Sequence, residues 1–494
     1  MTRYLDLSIK EINEKLKNKE IKPIDLVEEC FSRIEENKEY NAFITLNKED
    51  ALKRAKELEE KCVDNILFGI PIAIKDNIVT KDLKTTCASK ILSNFIPVYD
   101  ATVIEKIKNK NMIIIGKLNM DEFAMGSSNE TSFYGPVLNT YDKTRVAGGS
   151  SGGSAVCVGR NITPFSLGSD TGGSIRQPSA FNGIVGLKPT YGRVSRYGLI
   201  AFASSLDQIG PMSRNVYENA LLLNILCGKD EKDLTSSDTD EDFTRMIGEN
   251  ISGMKVAVPK FYMSDVINSE IRDRISDVIK FLEKNNVTVD YVDIDYIEYS
   301  VPLYQIIALA EASSNLARFD GVRYGYVTDT PVNNVDDMYK YTRAEGFGDE
   351  VKRRLMIGSY VLSGKNARDY YYKALKIRNR VSKSFDEVLS KYDLIIGPTT
   401  TDFAYKLGEG VNDAVKSFTD DLLTIPVNMA GLPGMSIPVG KGTNKLPIGM
   451  QIIGKKSRID KLYFVWYNFK KIKKVILCNK KTVLALCLIC RETR

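Results

Sequence analysis

Short, near-continuous apolar segments alternate with stretches of helical periodicity along most of the chain. The segments GIPIAIKDN (69–77) and MIIIGKLN (112–119) are typical, and similar ones recur at 163–170, 184–190, 255–259, 287–294, 393–398, 435–440 and 446–454. Long helices are predicted within 266–286, 303–319 and 366–391. Strands that are apolar on both faces belong to sheets covered by helices on both sides. The pattern therefore predicts an α/β fold with a large mixed β-sheet flanked by helices, without a linker that divides it.

The chain contains no histidine among its 494 residues. This excludes Ser-His-Asp triads, Cys-His pairs and HExxH zinc sites, all of which need an imidazole. Proton transfer near neutral pH must then use Lys, Asp, Glu, Tyr, Cys or Ser. The eight cysteines are scattered, and the single CxxC pair, Cys487 and Cys490, has no second pair beside which it could bind zinc. We therefore predict no metal site.

A Gly/Ser-rich segment occupies the middle of the chain. RVAGGSSGGSAVCVG (145–159) is followed by SLGSDTGGSIRQPSAFNGIVGLKPTYGRVS (166–195). The first stretch contains a GxSxG pattern centred on Ser150, which is typical of α/β-hydrolases. The triad of those enzymes needs a histidine, so this chain cannot form it. The run Thr171-Gly172-Gly173-Ser174 precedes a predicted helix, where backbone amides can stabilise a developing oxyanion. The ordinary alternative is that both stretches are simple turns.

Lys75 is the candidate base because it ends an apolar strand. Burial disfavours the charged form of lysine and so lowers its pKa from about 10.4. A base that works near neutrality needs a pKa roughly 3 units lower, which corresponds to about 4 kcal/mol. A solvated lysine at a strand end is the ordinary alternative.

Taken together, these motifs resemble the amidase signature family, whose pattern positions 66–212 match throughout. The resemblance implies the amidase signature fold and a Ser–cis-Ser–Lys triad. It implies that Ser174 is the nucleophile, that Ser150, whose preceding peptide bond is cis in the family, relays the proton, and that Lys75 is the terminal base. It also implies an oxyanion hole formed by the backbone amides of Thr171, Gly172, Gly173 and Ser174.

Segments 310–325, 348–358, 398–400 and 420–440 resemble one branch of the family, the glutaminase subunits of bacterial tRNA-dependent amidotransferases. The resemblance implies that Arg354 binds the α-carboxylate of glutamine and Asp421 its α-ammonium group. Both roles are physically reasonable. A zwitterion is bound by one cationic and one anionic side chain at separate positions, and Arg binds a carboxylate through two parallel hydrogen bonds. The family often has a tyrosine where this chain has Gln305, so we do not predict the contact such a tyrosine would make.

The same resemblance implies a heterotrimeric ligase in which this chain is joined by two partners, the B and C subunits. Ammonia released from glutamine would pass to the B subunit, which uses ATP and Mg²⁺ to amidate Glu-tRNA(Gln) or Asp-tRNA(Asn) and holds most of the charged tRNA. No GxxxxGK[ST] loop is present in this chain. We therefore expect no cofactor in this chain, and ATP in its partner.

Several alternatives remain open at this point. The chain could be a stand-alone amidase for another small amide, or a catalytically idle scaffold protein. Arg354 could form an ordinary helix-surface salt bridge beside Lys352 and Arg353. Asp421 could be a helix-start carboxylate, and the adjacent Asp420 could take its proposed role.

Charge divides the chain at about residue 455. Residues 456–494 hold eleven Lys or Arg and two acidic residues, a net +9, so that the rest of the chain carries −3 within a total of +6. We therefore assign 1–455 to the amidase signature domain and 456–494 to a divergent basic tail. The composition of that tail favours an out-of-frame end over a peripheral membrane- or RNA-binding segment or a divergent helix. The polar N-terminus does not resemble a signal peptide, and no apolar run reaches ~18 residues, so we predict a protein that does not enter a membrane. The eight scattered cysteines favour a reducing, cytoplasmic compartment.

Overall fold

The computed structural model describes residues 3–239, 241–410, 419–456 and 458–463. Its strands are β1 (Phe43–Leu46), β2 (Pro71–Lys75), β3 (Ile113–Leu118), β4 (Phe165–Asp170), β5 (Val185–Lys188), β6 (Gln208–Ser213), β7 (Lys255–Pro259), β8 (Thr288–Val292), β9 (Leu394–Pro398), β10 (Gly434–Lys441) and β11 (Pro447–Ile453). Each predicted apolar segment overlaps one of these strands. β6 was not predicted, because QIGPMS has neither a long apolar run nor a clear alternation.

Helices cover this sheet in both halves of the chain. In the described part they are α1 (Ile9–Lys17), α2 (Pro23–Glu36), α3 (Lys48–Glu59), α4 (Thr102–Asn109), α5 (Gly152–Gly159), α6 (Arg176–Asn182), α7 (Val216–Leu226), α8 (Ser269–Lys284), α9 (Ser300–Asn315), α10 (Val335–Gly346), α11 (Asp349–Leu362), α12 (Tyr372–Lys391) and α13 (Ile425–Met429). None of the helices in these ranges combines the length and hydropathy needed to cross a membrane.

All eleven strands form one sheet in the order β1-β3-β2-β4-β6-β5-β10-β11-β9-β7-β8. β2 is parallel to β3 and β4, and β7 is parallel to β8 and β9, whereas the other neighbours are antiparallel. The prediction of a large mixed sheet flanked by helices is thus confirmed. The N-terminal strands β1–β6 lie side by side and meet the C-terminal strands at a single antiparallel seam between β5 and β10.

Burial explains why the central strands are apolar on both faces. Every residue of β2, β3, β4, β5 and β6 is buried. Two hydrophobic clusters account for most of the interior, and residues of β2, β3 and β4 belong to the first. Because apolar neighbours surround the strand ends, a charged side chain placed there is removed from water.

The predicted boundary at residue 455 does not coincide with the end of packing. Ile459, Leu462 and Tyr463 are fully buried, and the Tyr463 hydroxyl donates to Asn219 Oδ1 at 2.9 Å. The remainder of the predicted basic tail, 464–494, lies outside the described residues.

Candidate active site

Lys75 lies at the end of β2 with its side chain fully buried. Its Nζ donates to the hydroxyls of Ser150 and Ser151, each at 2.8 Å, and to the carbonyl of Ser169 at 3.3 Å. Burial lowers the pKa of Lys75 to about 7, although the carboxylates of Asp121 and Asp170 act in the opposite direction. The amine is therefore available as a base near neutral pH, which removes the alternative of a solvated lysine.

The loop that carries Ser150 is shaped by close approach to Asp121. The peptide bond between Gly149 and Ser150 is cis, as the family resemblance implies. A Cβ atom at Gly149 would lie 1.9 Å from Asp121 Oδ2, so that no larger residue fits there without movement of that carboxylate. The Ser150 carbonyl in turn accepts a hydrogen bond from the Asp121 amide at 3.3 Å. Ser150 is thus held where its hydroxyl meets Lys75.

Ser174 lies in the turn between β4 and α6 and is only 4% exposed. Its carbonyl accepts from the Ser151 amide at 3.1 Å, which joins the two serine-bearing loops. No hydrogen bond between the Ser150 and Ser174 hydroxyls is present in the described structure. The structure therefore brings Lys75 and Ser150 into direct contact and places Ser174 beside them through its main chain. Catalytic hydrogen bonds often tighten only when substrate binds.

The turn before Ser174 leaves its amides available. Gly173 has φ +155°, and a Cβ atom there would lie 2.2 Å from Thr424 Oγ1 and 2.4 Å from Asp421 Oδ1. The amides of Gly172, Gly173 and Ser174 donate to no other group within the described ranges. Adjacent unpaired amides on one turn are suited to stabilising an oxyanion.

A buried ion pair joins the two residues that flank this turn. Asp170 ends β4 and Arg176 begins α6, and the guanidinium contacts the carboxylate through Nε at 3.1 Å and Nη2 at 3.0 Å. Both side chains are fully buried. Burial raises the pKa of Asp170, but the charge and hydrogen bonds of Arg176 prevail and hold it below its usual range. Sequence patterns did not predict this pair, although both residues flank the Gly/Ser motif.

Ser151 is a further residue of the site that was not predicted. Its hydroxyl accepts from Lys75 and donates to the Ser169 carbonyl at 3.1 Å. Lys75 therefore has two hydroxyl partners instead of one. The doubled serine in GGSSGG is the signal that was available in the sequence.

Asp421 lies against the Gly172–Gly173 turn. Its Oδ1 accepts from Thr424 Oγ1 at 3.4 Å, and the same hydroxyl donates to the Gly172 carbonyl at 2.7 Å. Burial raises the pKa of Asp421 well above its usual value, and the charge of Asp420 adds to this. A ligand ammonium group would supply the missing positive charge. The adjacent Asp420 is less suitable, because its carboxylate accepts from Ser127 and Tyr405.

Arg354 approaches the same turn from α11. Its guanidinium carbon lies 5.9 Å from the ring centroid of Phe202, which packs edge-on against Tyr304 at 6.3 Å. A Cβ atom at Gly172 would lie 3.1 Å from the Tyr304 ring. Arg354, Phe202 and Tyr304 therefore form a continuous wall that leads to the turn before Ser174. Gln305 follows Tyr304 in α9 and is half-buried.

Arg354 does form a salt bridge within its helix, but this contact uses only one of its guanidinium nitrogens. Nε donates to Glu350 Oε1 at 2.7 Å, one helical turn away, and Glu350 also binds Arg353. Lys352 pairs with Asp349. The terminal nitrogens of Arg354 donate to no other group in the described part of the chain, and the residue is 7% exposed. Its guanidinium thus keeps two nitrogens for a ligand carboxylate.

Comparison with known proteins gives consistent matches over nearly the full chain. A sequence model of the family described as Amidase matches residues 25–461. The A subunit of glutamyl-tRNA(Gln) amidotransferase from Staphylococcus carnosus is 50% identical over 470 residues, covering 94% of this chain and 96% of that protein. The protein of the same name from a Geobacillus species is 52% identical over 473 residues, covering 94% and 97%.

Solved structures agree with these sequence matches. The crystal structure of the glutamyl-tRNA(Gln) amidotransferase A subunit from Thermotoga maritima is 41% identical with a TM-score of 0.78, covering 94% of each chain. A crystal structure described as an amidase is 27% identical with a TM-score of 0.79, covering 94% of this chain and all of that one.

Proposed function

Because the chain belongs to the amidase family, we propose that it is the enzyme component that hydrolyses the side-chain amide of glutamine within a tRNA-dependent amidotransferase. The observation that carries the proposal is the buried Lys75 amine, with a pKa of about 7 and a 2.8 Å hydrogen bond to Ser150. The identity of about 50% to proteins named as the A subunit of glutamyl-tRNA(Gln) amidotransferase supports the choice of substrate.

Acylation begins with Ser174 as the nucleophile. Its Oγ attacks the carboxamide carbon of glutamine, and its proton passes through the Ser150 hydroxyl to the neutral amine of Lys75. The carbonyl oxygen becomes an oxyanion, which accepts hydrogen bonds from the amides of the turn formed by Thr171, Gly172, Gly173 and Ser174. These amides need no reorganisation, because the Asp170–Arg176 pair already fixes both ends of the turn.

Ammonia leaves when the tetrahedral intermediate collapses. The C–N bond breaks, and the ammonium form of Lys75 returns its proton through Ser150 to the departing nitrogen. The product on the enzyme is a γ-glutamyl ester of Ser174. Water then attacks this ester with the same Lys75–Ser150 relay as base, which releases glutamate and restores the serine.

Glutamine fits the charges that border the turn. Arg354 binds the α-carboxylate with its two terminal nitrogens, and Asp421 binds the α-ammonium group. Arg354 is held by its own helix, whereas Asp421 sits within contact of Gly173, next to the nucleophile. A neutral amide would not use both charges, and this argues against a stand-alone amidase for such substrates.

The ammonia is used by partners. We infer a heterotrimer with the B and C subunits in the cytoplasm, in which the B subunit amidates Glu-tRNA(Gln), or Asp-tRNA(Asn), with ATP and Mg²⁺ and holds the charged tRNA. The −3 charge of residues 1–455 supports this division of roles, since a nucleic-acid-binding surface is usually basic. The match to 96% of a protein named as the A subunit of such an enzyme supports the assembly as a whole.

The proposal is tested by ammonia release from glutamine by the chain purified with candidate B and C subunits, with and without ATP and charged tRNA. Ser174→Ala should lower the rate by at least ~10³-fold, as expected when a nucleophile is removed. Ser154→Ala, a buried serine of the same motif outside the triad, is the matched control. A Ser174→Ala assembly that releases ammonia at the wild-type rate would contradict the mechanism and favour the idle scaffold.

Arg354→Ala distinguishes glutamine from a neutral amide as the substrate. Loss of a charge-assisted pair with the α-carboxylate should raise KM for glutamine by at least about tenfold. Hydrolysis of a neutral amide such as butyramide should change little. An Arg354→Ala variant with unchanged KM for glutamine would favour a stand-alone amidase of different specificity.

A further inference from the structure

Two adjacent acidic residues, Asp121 and Glu122, connect the Ser150 loop with helix α11. Asp121 lies against Gly149, and its carboxylate accepts from the Asn129 amide at 3.0 Å and the Thr131 hydroxyl at 2.9 Å. Glu122 is the next residue, and its own amide donates to the same Thr131 hydroxyl at 3.1 Å. Neither side chain is free to move without disturbing this short segment.

The Glu122 carboxylate is bound to the start of α11. It is 2% exposed, and its two oxygens accept from the Gly348 amide at 2.9 Å and 3.2 Å. Gly348 is the residue that precedes the first turn of α11. Ser89 also donates its hydroxyl to Glu122 and lies 3.3 Å from the Gly346 carbonyl. The carboxylate thus satisfies an amide that the helix leaves unpaired, and its charge suits the positive end of the helix dipole.

The contact leaves little room for another arrangement. A Cβ atom at Gly348 would lie 2.4 Å from Glu122 Oε2, so the close approach depends on glycine at that position. Farther along α11, a Cβ atom at Gly358 would lie 1.9 Å from the Leu309 carbonyl of α9. Helix α11 is therefore held close to its neighbours at its start and near its end.

Arg354 lies between these two points. It follows Gly348 by six residues, or about 9 Å along the helix axis. Val351 and Leu355 are buried on the same helix and restrain its rotation. Packing thus restrains the rotation of α11, and the Glu122–Gly348 contact restrains the position of its first turn along the helix axis.

We propose that Glu122 is a positioning residue for Arg354. By binding the start of α11, it fixes the position of the helix along its axis, and so places the Arg354 guanidinium within reach of the substrate carboxylate. The inference rests on the proposed function, because it assigns Arg354 a ligand. Glu122 does not touch the substrate in this scheme. It links the segment that shapes the Ser150 loop to the helix that recognises the other end of glutamine.

The test is a double-mutant cycle in the assembled complex, with ammonia release from glutamine as the readout. Glu122→Ala should raise KM for glutamine about tenfold while kcat stays within about twofold, because the chemical groups are untouched. In the Arg354→Ala background, the same substitution should raise KM no further. The matched control is Glu218→Ala, which removes another buried carboxylate that is ion-paired to Arg214 in the first turn of α7. This control should leave KM within about twofold.

A purely structural role for Glu122 predicts different results. Unchanged KM in Glu122→Ala, a loss of kcat instead of a rise in KM, or additive effects with Arg354→Ala would each overturn the inference. Should Glu122→Ala not yield a folded complex, Ser89→Ala removes the hydroxyl that binds Glu122 and keeps the Gly348 contact. It should raise KM about threefold, again without effect in the Arg354→Ala background. No change there would overturn the inference as well.

The outcome also separates this inference from the proposed function. A wild-type assembly that releases no ammonia from glutamine would overturn both, because Arg354 would then have no substrate carboxylate to meet. An active wild-type assembly with an additive cycle would overturn only the role of Glu122.

Discussion

The ionisation of Lys75 should control the rate of glutamine hydrolysis between pH 6 and pH 8. In the proposed mechanism Lys75 must be neutral to accept the proton of Ser174, and burial lowers its pKa from 10.5 to about 7. The folded protein thus disfavours the charged amine by about 5 kcal/mol relative to water. Since the neutral form increases as pH rises through the pKa, kcat/KM should rise roughly tenfold from pH 6 to pH 8 and then level off. An amine with an ordinary lysine pKa would give a rate that still increases tenfold per pH unit at pH 9.

Asp121→Asn tests whether Lys75 is the group whose titration appears in the pH profile of kcat/KM. Among the charges that favour the ammonium form of Lys75, the Asp121 carboxylate is the strongest. A nearby opposite charge raises a lysine pKa by one unit or more, so its removal should move the midpoint of the profile to about one pH unit lower. The substitution keeps the size of the side chain and one of its acceptor oxygens.

The assay is the pH dependence of kcat/KM for ammonia release, measured for the complete assembly at constant ionic strength. Glu122→Gln is the necessary comparison, because burial also raises the pKa of Glu122 to about 7. The midpoint should remain near pH 7 in that variant if Lys75 is responsible. A wild-type profile without a plateau below pH 9, or a midpoint that moves in Glu122→Gln but not in Asp121→Asn, would refute the assignment of Lys75 as base.

Three further substitutions test the surroundings of the proposed triad. Arg176→Met should lower the free energy of unfolding by about 3–5 kcal/mol in urea titrations, because it leaves Asp170 buried without its cation; an equal stability would contradict this. Gly173→Ala should abolish ammonia release in a folded protein, since the added methyl would lie 2.2 Å from a threonine hydroxyl, and full activity would exclude a role for this turn. Ser151→Ala should lower kcat about tenfold through loss of one of the two hydroxyls on Lys75, and an unchanged kcat would mean that Ser150 alone positions the amine.

The fold was largely predictable because most of its strands are apolar on both faces. Each predicted apolar segment overlaps a strand, from Pro71–Lys75 to Pro447–Ile453, and most of these strands are buried on both faces, although β8 at the sheet edge is largely exposed. β6 was not predicted because Gly210 and Pro211 interrupt its apolar pattern. The strand order was not predictable either, because partners such as β5 and β10 are far apart in sequence.

The sequence predicted that Lys75 and Ser150 lie together, but it did not predict the contacts that support them. Because the chain has no histidine, the sequence pointed to Lys75 as the candidate base, and the structure buries that amine and lowers its pKa. The contacts of Ser151 and the Asp170–Arg176 pair depend on how loops pack, which no local pattern encodes. The same holds for Glu122 and Gly348, which meet although more than two hundred residues separate them.

The seam between β5 and β10 has a consequence for biosynthesis. β5 is buried on all sides in the finished sheet, yet its outer edge pairs only with Gly434–Ser436. A ribosome that adds 5–20 residues per second delivers that partner roughly 12 to 50 s after β5 has been made. During this interval an apolar strand edge stays open, and such edges recruit strands from other chains. A nascent chain halted before residue 421 should therefore aggregate or engage a chaperone, and its Ser174 turn, although fully synthesised, would still lack the contacts with Asp421 and Thr424.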